Sequence, residues 1–192
     1  MKLATLANGT RDGELVVVSN EGGRYLKPES VATLQQAIEK WDDVARECDA
    51  LAGRLASGEG HSINTAQLAA PLPRAWQWLD GSAFNAHGAL MQRAFDLDPI
   101  EHDKPLMYQG MSHQFLGPND DVPFVSEADG IDFEGEFGVI VDDVPMGTSS
   151  TDAMKHIKLL VQINDWSLRT IAPKEMKTGF GWVCLLYTSD AA

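Results

Sequence analysis

The run Ile131-Asp-Phe-Glu-Gly-Glu-Phe-Gly-Val-Ile-Val141 decides how this chain is read. It has the composition of a strand, and Glu134 and Glu136 stand two residues apart in it. Side chains at that spacing share one face of a strand, about 7 Å apart. Phe133 and Phe137 fall on the opposite face, which the pattern predicts to be the buried side. Glutamate is a poor strand former, so two in register on one face need a compensating partner. Carboxylate oxygens are natural ligands of hard divalent cations such as magnesium and calcium. A second apolar run, Leu159-Leu-Val-Gln-Ile163, leads to Asn164-Asp165 and reads as a buried strand with a third acid at its end.

Working outward, a chain of 192 residues suffices for one sizeable core or a small domain followed by a larger one. A hydrophobic fraction of 44% with 22% charged residues is ordinary for a soluble globular protein. The net charge of −13 argues against nucleic acid or an anionic membrane surface as partner. Only Cys48 and Cys184 are present, without metal or redox spacing, and Cys48 reads as a small buried hydrophobe. The N-terminal residues lack the apolar stretch of a signal peptide, and no run approaches the roughly 20 apolar residues of a membrane span. A reducing cytoplasm is the expected setting.

Residues 2–6 and 14–18 read as short strands around a turn containing Asn8-Gly9 and Asp12-Gly13. A helix follows, with Ser30 as its expected N-cap. Val31, Leu34, Ile38, Trp41, Ala45, Cys48, Leu51 and Leu55 form one apolar stripe that stops at Ser57-Gly-Glu-Gly60. Residues 1–70 are therefore expected to form a small N-terminal domain of strand and helix. A second unit, residues 71–183, opens at Pro71-Leu-Pro-Arg74 and holds most of the polar residues set in apolar surroundings. Within it, Ser149 to about Lys158 reads as a short helix with Met154 and Ile157 facing inward. Residues 184–192 fit neither unit and read as a foreign tail.

His87, in Phe84-Asn-Ala-His-Gly-Ala-Leu90, is a candidate general base, because its pKa lies near neutrality. Asp80, seven residues earlier, is either a cap or a further metal ligand. His61, His102, His113 and His156 are assigned to surface or packing roles. The chain has no G-x-S-x-G elbow, phosphate loop, dinucleotide fingerprint or H-E-x-x-H pair. Serine hydrolase, nucleotide hydrolase, Rossmann dehydrogenase and zincin are thus unsupported.

Phe133-Glu-Gly-Glu-Phe-Gly-Val-Ile-Val141 resembles the E-x-E metal strand of the fumarylacetoacetate hydrolase family, and Asn164-Asp-Trp-Ser-Leu-Arg169 resembles its N-D-W-S-x-R segment. Asp80 to His87 is similar to the D-x6-H segment of the fumarylacetoacetase branch. The resemblance implies a predominantly β, α+β fold with a mixed β-roll catalytic domain. It implies Asp80, Glu134, Glu136 and Asp165 as ligands of a divalent cation, Mg2+ or Ca2+, with Mn2+ also suited. It also implies His87 as the base that activates water and Tyr108, in Met107-Tyr-Gln-Gly110, as a substrate contact.

The activity so implied is hydrolysis of a carbon–carbon bond in a β-diketone or acylpyruvate acid such as fumarylacetoacetate. Hydration or decarboxylation of a 2-oxo acid on the same metal platform is the near alternative. A non-catalytic, cation-binding domain is the alternative from another class. The expected partners are a small diketo acid and a second copy of the chain in a homodimer, with neither nucleic acid nor membrane. The family pattern is not complete: its lysine is expected shortly after Trp182, where the suspected tail begins, and the histidine's glutamate partner and a substrate threonine have no counterpart. Ala172 stands where a glutamine is expected, and Arg93 is out of register for the substrate arginine. On these grounds the chain as it stands is expected to be inactive.

Overall fold

Alternating apolar residues at the N-terminus close into an antiparallel hairpin, β1 (Lys2–Leu6) with β2 (Glu14–Val18), Lys2 facing Val18 and Leu6 facing Glu14. β3 (Arg24–Leu26) and the two-residue β4 (His61–Ser62) extend this into a four-stranded sheet in chain order. The computed structural model describes residues 1–96, 105–178 and 187–191.

The helical stripe folds as two helices, α1 (Leu34–Glu39) and α2 (Trp41–Ala56), broken at Lys40. Thr33, not Ser30, caps α1 by accepting from the Gln36 amide at 3.2 Å. Ser30 instead binds the Glu47 carboxylate on α2, whose other oxygen accepts from the Glu29 amide at 2.6 Å. Leu34, Ile38, Val44, Cys48, Leu51 and Leu55 pack on Leu15 and Val17 of β2, and Val44 takes the inward place expected for Ala45. Cys48 is buried, and burial pushes its thiol up to about 11, as befits an inert packing residue. The other face of the sheet is covered around Leu6, Val16 and Val18 by Tyr25, Ile63 and Leu68.

The link to the second unit is polar and well bonded. Thr5, fully buried, donates to the Pro71 carbonyl at 2.6 Å, and Arg74 grips Asp12 through Nε at 2.6 Å and Nη2 at 2.8 Å. Beyond it, β5 (Leu79–Ser82) pairs antiparallel with β6 (Leu106–Gln109), and α3 (Asn85–Phe95) follows β5. A third sheet has the order β7 (Ile131–Val141), β8 (Ile157–Leu168), β9 (Tyr187–Ala191), all antiparallel. Between β7 and β8 lie α4 (Ser150–Ala153) and one 3-10 turn, and α5 (Ala172–Met176) follows β8. Ser149 caps α4 by accepting from the Asp152 amide at 3.1 Å, but the helix expected to reach about Lys158 stops at Ala153, and Met154 is 67% exposed rather than inward.

Two expectations about the third sheet are corrected. β8 runs to Leu168, so Asp165 sits inside the strand rather than at its end. The phenylalanine face is also the outer one, with Phe133 62% and Phe137 85% exposed. The reason lies further along the same strands. Ile140 and Leu159 face each other across β7 and β8 and pack on the N-terminal core, which turns the face shared with Glu134 and Glu136 inward. Gly138, on that inner face, permits the close fit: a Cβ there would lie 2.5 Å from Ile163 Cδ1. The architecture is thus mixed α+β and strand-rich, with a small N-terminal domain ahead of a larger unit.

Candidate metal centre

Three strands deliver one carboxylate each. Asp80 comes from β5, Glu136 from β7 and Asp165 from β8, and one oxygen of each lies within 4.8 Å of the others. Asp165 is 2% exposed, and its Oδ1 is buried with no hydrogen-bond partner among the described residues. A buried carboxylate oxygen without a donor is costly unless a cation or proton meets it. An all-oxygen donor set at this spacing fits a hard divalent ion.

The electrostatics agree. Burial, then the Asp80 and Glu134 charges, pushes Glu136 up to about 7. Burial, then the charges of Glu136, Asp80 and Glu134, pushes Asp165 up to about 8. Tyr108 faces Asp80 across β5 and β6, and its hydroxyl lies between the Asp80 carboxylate and Asp165 Oδ2, the latter at 3.4 Å. Burial and the surrounding carboxylates hold Tyr108 far above the usual phenol range, so it stays a proton donor.

Glu134 is directly opposite Asp165 in the β7–β8 register but stands apart from the trio. It accepts from Ser167 Oγ and, at 2.8 Å, from Arg169 Nη2. Arg169 also holds Asp132 through Nε at 2.8 Å. This arrangement begins at Gly130, whose φ of 71° turns the chain into β7 and whose carbonyl accepts from the Arg169 amide at 2.8 Å. His87, the third residue of α3, is exposed and lines the same broad cleft as Asp80, Glu134, Glu136 and Arg169.

The structure therefore brings Asp80, Glu136, Asp165 and Tyr108 together, places Glu134 beside them and sets His87 on the cleft wall. Ser167 and Arg169 were not singled out by the sequence reading. Their signal lies in the Asn164-Asp-Trp-Ser-Leu-Arg169 segment, where Ser167 and Arg169 fall at alternate positions after Asp165 and so share its face. The lysine expected shortly after Trp182 falls outside the described residues.

This strand-rich α+β fold brings acids from three strands together beside a cleft, a donor set that could hold a divalent cation. Residues 1–74 match the family model "Fumarylacetoacetase N-terminal domain 2", and residues 77–187 match "Fumarylacetoacetate (FAA) hydrolase C-terminal". The chain belongs to the fumarylacetoacetate hydrolase family. Among solved structures it is similar to 5-carboxymethyl-2-hydroxymuconate delta-isomerase from Mycobacterium smegmatis, with a TM-score of 0.59 and 16% identity. That alignment covers 100% of this chain and 64% of the isomerase, and at this identity it speaks for the fold alone. No curated protein matches the sequence.

Proposed function

We propose that this chain carries the cation-holding part of an enzyme that hydrolyses a carbon–carbon bond in a β-diketone or acylpyruvate acid, such as fumarylacetoacetate. One observation carries the reading: Asp80, Glu136 and Asp165 converge from three strands around the orphaned Oδ1 of Asp165, in a chain of this family. Asp80, Glu134, Glu136 and Asp165 would hold the ion, Mg2+, Ca2+ or Mn2+. When bound, it supplies positive charge to the oxygens of a 1,3-dicarbonyl and to the charge that develops there on cleavage.

The remaining work falls to side chains of the cleft. His87 accepts a proton from water at an imidazole nitrogen, making the nucleophile. Tyr108, kept protonated by its acidic surroundings, donates a hydrogen bond either to Asp165 or to a substrate oxygen. Phe84 and Met107 give the cleft an apolar wall for the carbon skeleton.

A second reading stands beside it, in which the same carboxylate platform serves isomerisation, hydration or decarboxylation of an unsaturated 2-oxo acid. All of these build negative charge on a substrate oxygen, and they differ in whether water must be activated. The test is steady-state turnover of acylpyruvates, fumarylacetoacetate and a 2-hydroxymuconate, with Mg2+, Mn2+ or chelator, by an intact family member that carries these residues and the expected lysine. Hydrolysis should require the ion and fall roughly 10²–10⁴-fold in His87→Ala, with cation affinity nearly unchanged. Isomerisation that survives His87→Ala would favour the second reading. Cation binding with no turnover of any of these acids would favour a non-catalytic binding domain.

A further inference from the structure

We propose that Arg169 is a positioning residue for the cation site: together with Ser167 it engages Oε1 of Glu134 and thereby presents Oε2 of that carboxylate to the ion. The inference rests on the reading above that a divalent cation is held here. Both donors converge on a single oxygen, Arg169 Nη2 at 2.8 Å and Ser167 Oγ beside it. Among the described residues none is recorded donating to Oε2.

The guanidinium spans two acids on one face of β7, Asp132 through Nε at 2.8 Å and Glu134 through Nη2 at 2.8 Å. A planar fork with fixed N–H directions suits that task, whereas an ammonium offers one compact charge without the fork. Asp132 also offsets the guanidinium charge, so Arg169 contributes direction to Glu134 without presenting a bare positive charge to the cation. The donors are themselves fixed by the fold. Ser167 is buried opposite Asp132 in the β7–β8 register, and the Arg169 amide is bonded to the Gly130 carbonyl.

Without this clamp, Glu134 would face Asp165 across the ladder as a like charge, with three rotatable bonds by which to swing toward solvent. Ligand-orienting partners of this kind typically change metal affinity by about 10–100-fold when removed.

The experiment is a Mn2+ titration of the 192-residue chain by calorimetry, with paramagnetic resonance of the bound ion, in the absence of substrate. The set is wild type, Arg169→Gln, Arg169→Lys, Glu134→Gln and the double variant Arg169→Gln/Glu134→Gln. Arg169→Gln should weaken Mn2+ binding by about 10–100-fold and alter the resonance spectrum, and Arg169→Lys should recover part of the loss. In the Glu134→Gln background, Arg169→Gln should change affinity by less than about 3-fold, because its effect passes through that carboxylate. Arg169→Gln affinity equal to or tighter than wild type would overturn the proposal. So would the same loss in both backgrounds, which would mark a general structural effect. Failure of wild type to bind Mn2+ saturably would overturn the cation reading itself, a result separable from either of those.

Discussion

The two halves of this chain use burial for opposite ends. In residues 1–74 the buried set is almost wholly apolar: Leu15, Val16, Val17, Leu34, Val44 and Cys48 fill both faces of a small sheet, and charges such as Lys27, Glu14, Arg54 and Glu59 pair at the surface. Beyond residue 74, Leu168 is the only buried hydrophobic residue among those described, while Asp165 and Ser167 are buried polar groups. There the apolar side chains Phe133, Phe137 and Leu160 lie outside, while Asp165 is buried and Asp80, Glu134 and Glu136 are half-buried. The first half is stabilised by transfer of apolar surface from water. The second accepts the cost of burying charge, which is the usual mark of a functional site. Ile140 and Leu159 join the two by packing the carboxylate-bearing sheet on the N-terminal core.

The largest expected effect that tests this contrast is on cation binding. Asp165→Asn should abolish saturable Mn2+ binding, a loss of at least ~100-fold, while leaving the metal-free fold as stable as wild type or more so, since Asn keeps the shape and removes a buried acid that is costly to ionise. Calorimetry and thermal denaturation check the two parts. A variant that binds Mn2+ normally would remove Asp165 from the site. In the other half, Leu34→Ala should cost about 2–5 kcal/mol of stability through lost packing, with Mn2+ affinity in the folded protein nearly unchanged. Denaturant unfolding measures the first, and a matching loss of affinity would mean that the halves are not separable in this way.

The pH response comes next in size. Both acids titrate higher in the folded, metal-free chain than their ordinary values, Glu136 at about 7 and Asp165 at about 8. Raised folded pKa values mean that the native state binds more protons than the unfolded state across that interval. Stability of the metal-free protein should therefore be highest below about pH 4 to 5 as far as these two groups act, and be lost as pH rises through 7 and 8. Saturating Mn2+ should reverse the fall, and binding at pH 7 should release between about one and two protons, seen as a buffer-dependent heat. A melting temperature independent of pH between 5 and 8, with no proton release, would contradict the buried-acid account. Smallest is the outer face: Phe137→Ser should change stability by no more than about 0.5 kcal/mol, because its side chain is already exposed. A larger loss, growing with protein concentration, would show that this face is covered in solution.

Much of the site was legible in the residues. Glu134 and Glu136 at strand spacing, Asp165 after a second apolar run and Asp80 ahead of His87 are local patterns, and the strands carrying the first three formed where the apolar runs predict, whereas the short strand carrying Asp80 had no signal of its own. The orientation of β7 was not legible. By local pattern the phenylalanines belong inside, and Ile140 with Leu159 overrules them through contact with helices about a hundred residues earlier. The transfer of the cap from Ser30 to Thr33 is likewise a tertiary effect, because Glu47 on α2 binds Ser30.

The sequence by itself determined which residues can bear charge, where β1, β2, β7 and the middle of β8 run, and which family the chain joins, since those depend on spacing and side-chain chemistry alone. Tertiary structure decided which acids meet. Asp80, Glu136 and Asp165 lie on three strands whose registers are set by long-range pairing and packing, and Glu134 on that same face is taken by Arg169. The opening pair of glutamates is thus one motif in sequence and two environments in space, one oxygen cluster facing its fellows and one carboxylate held by a guanidinium.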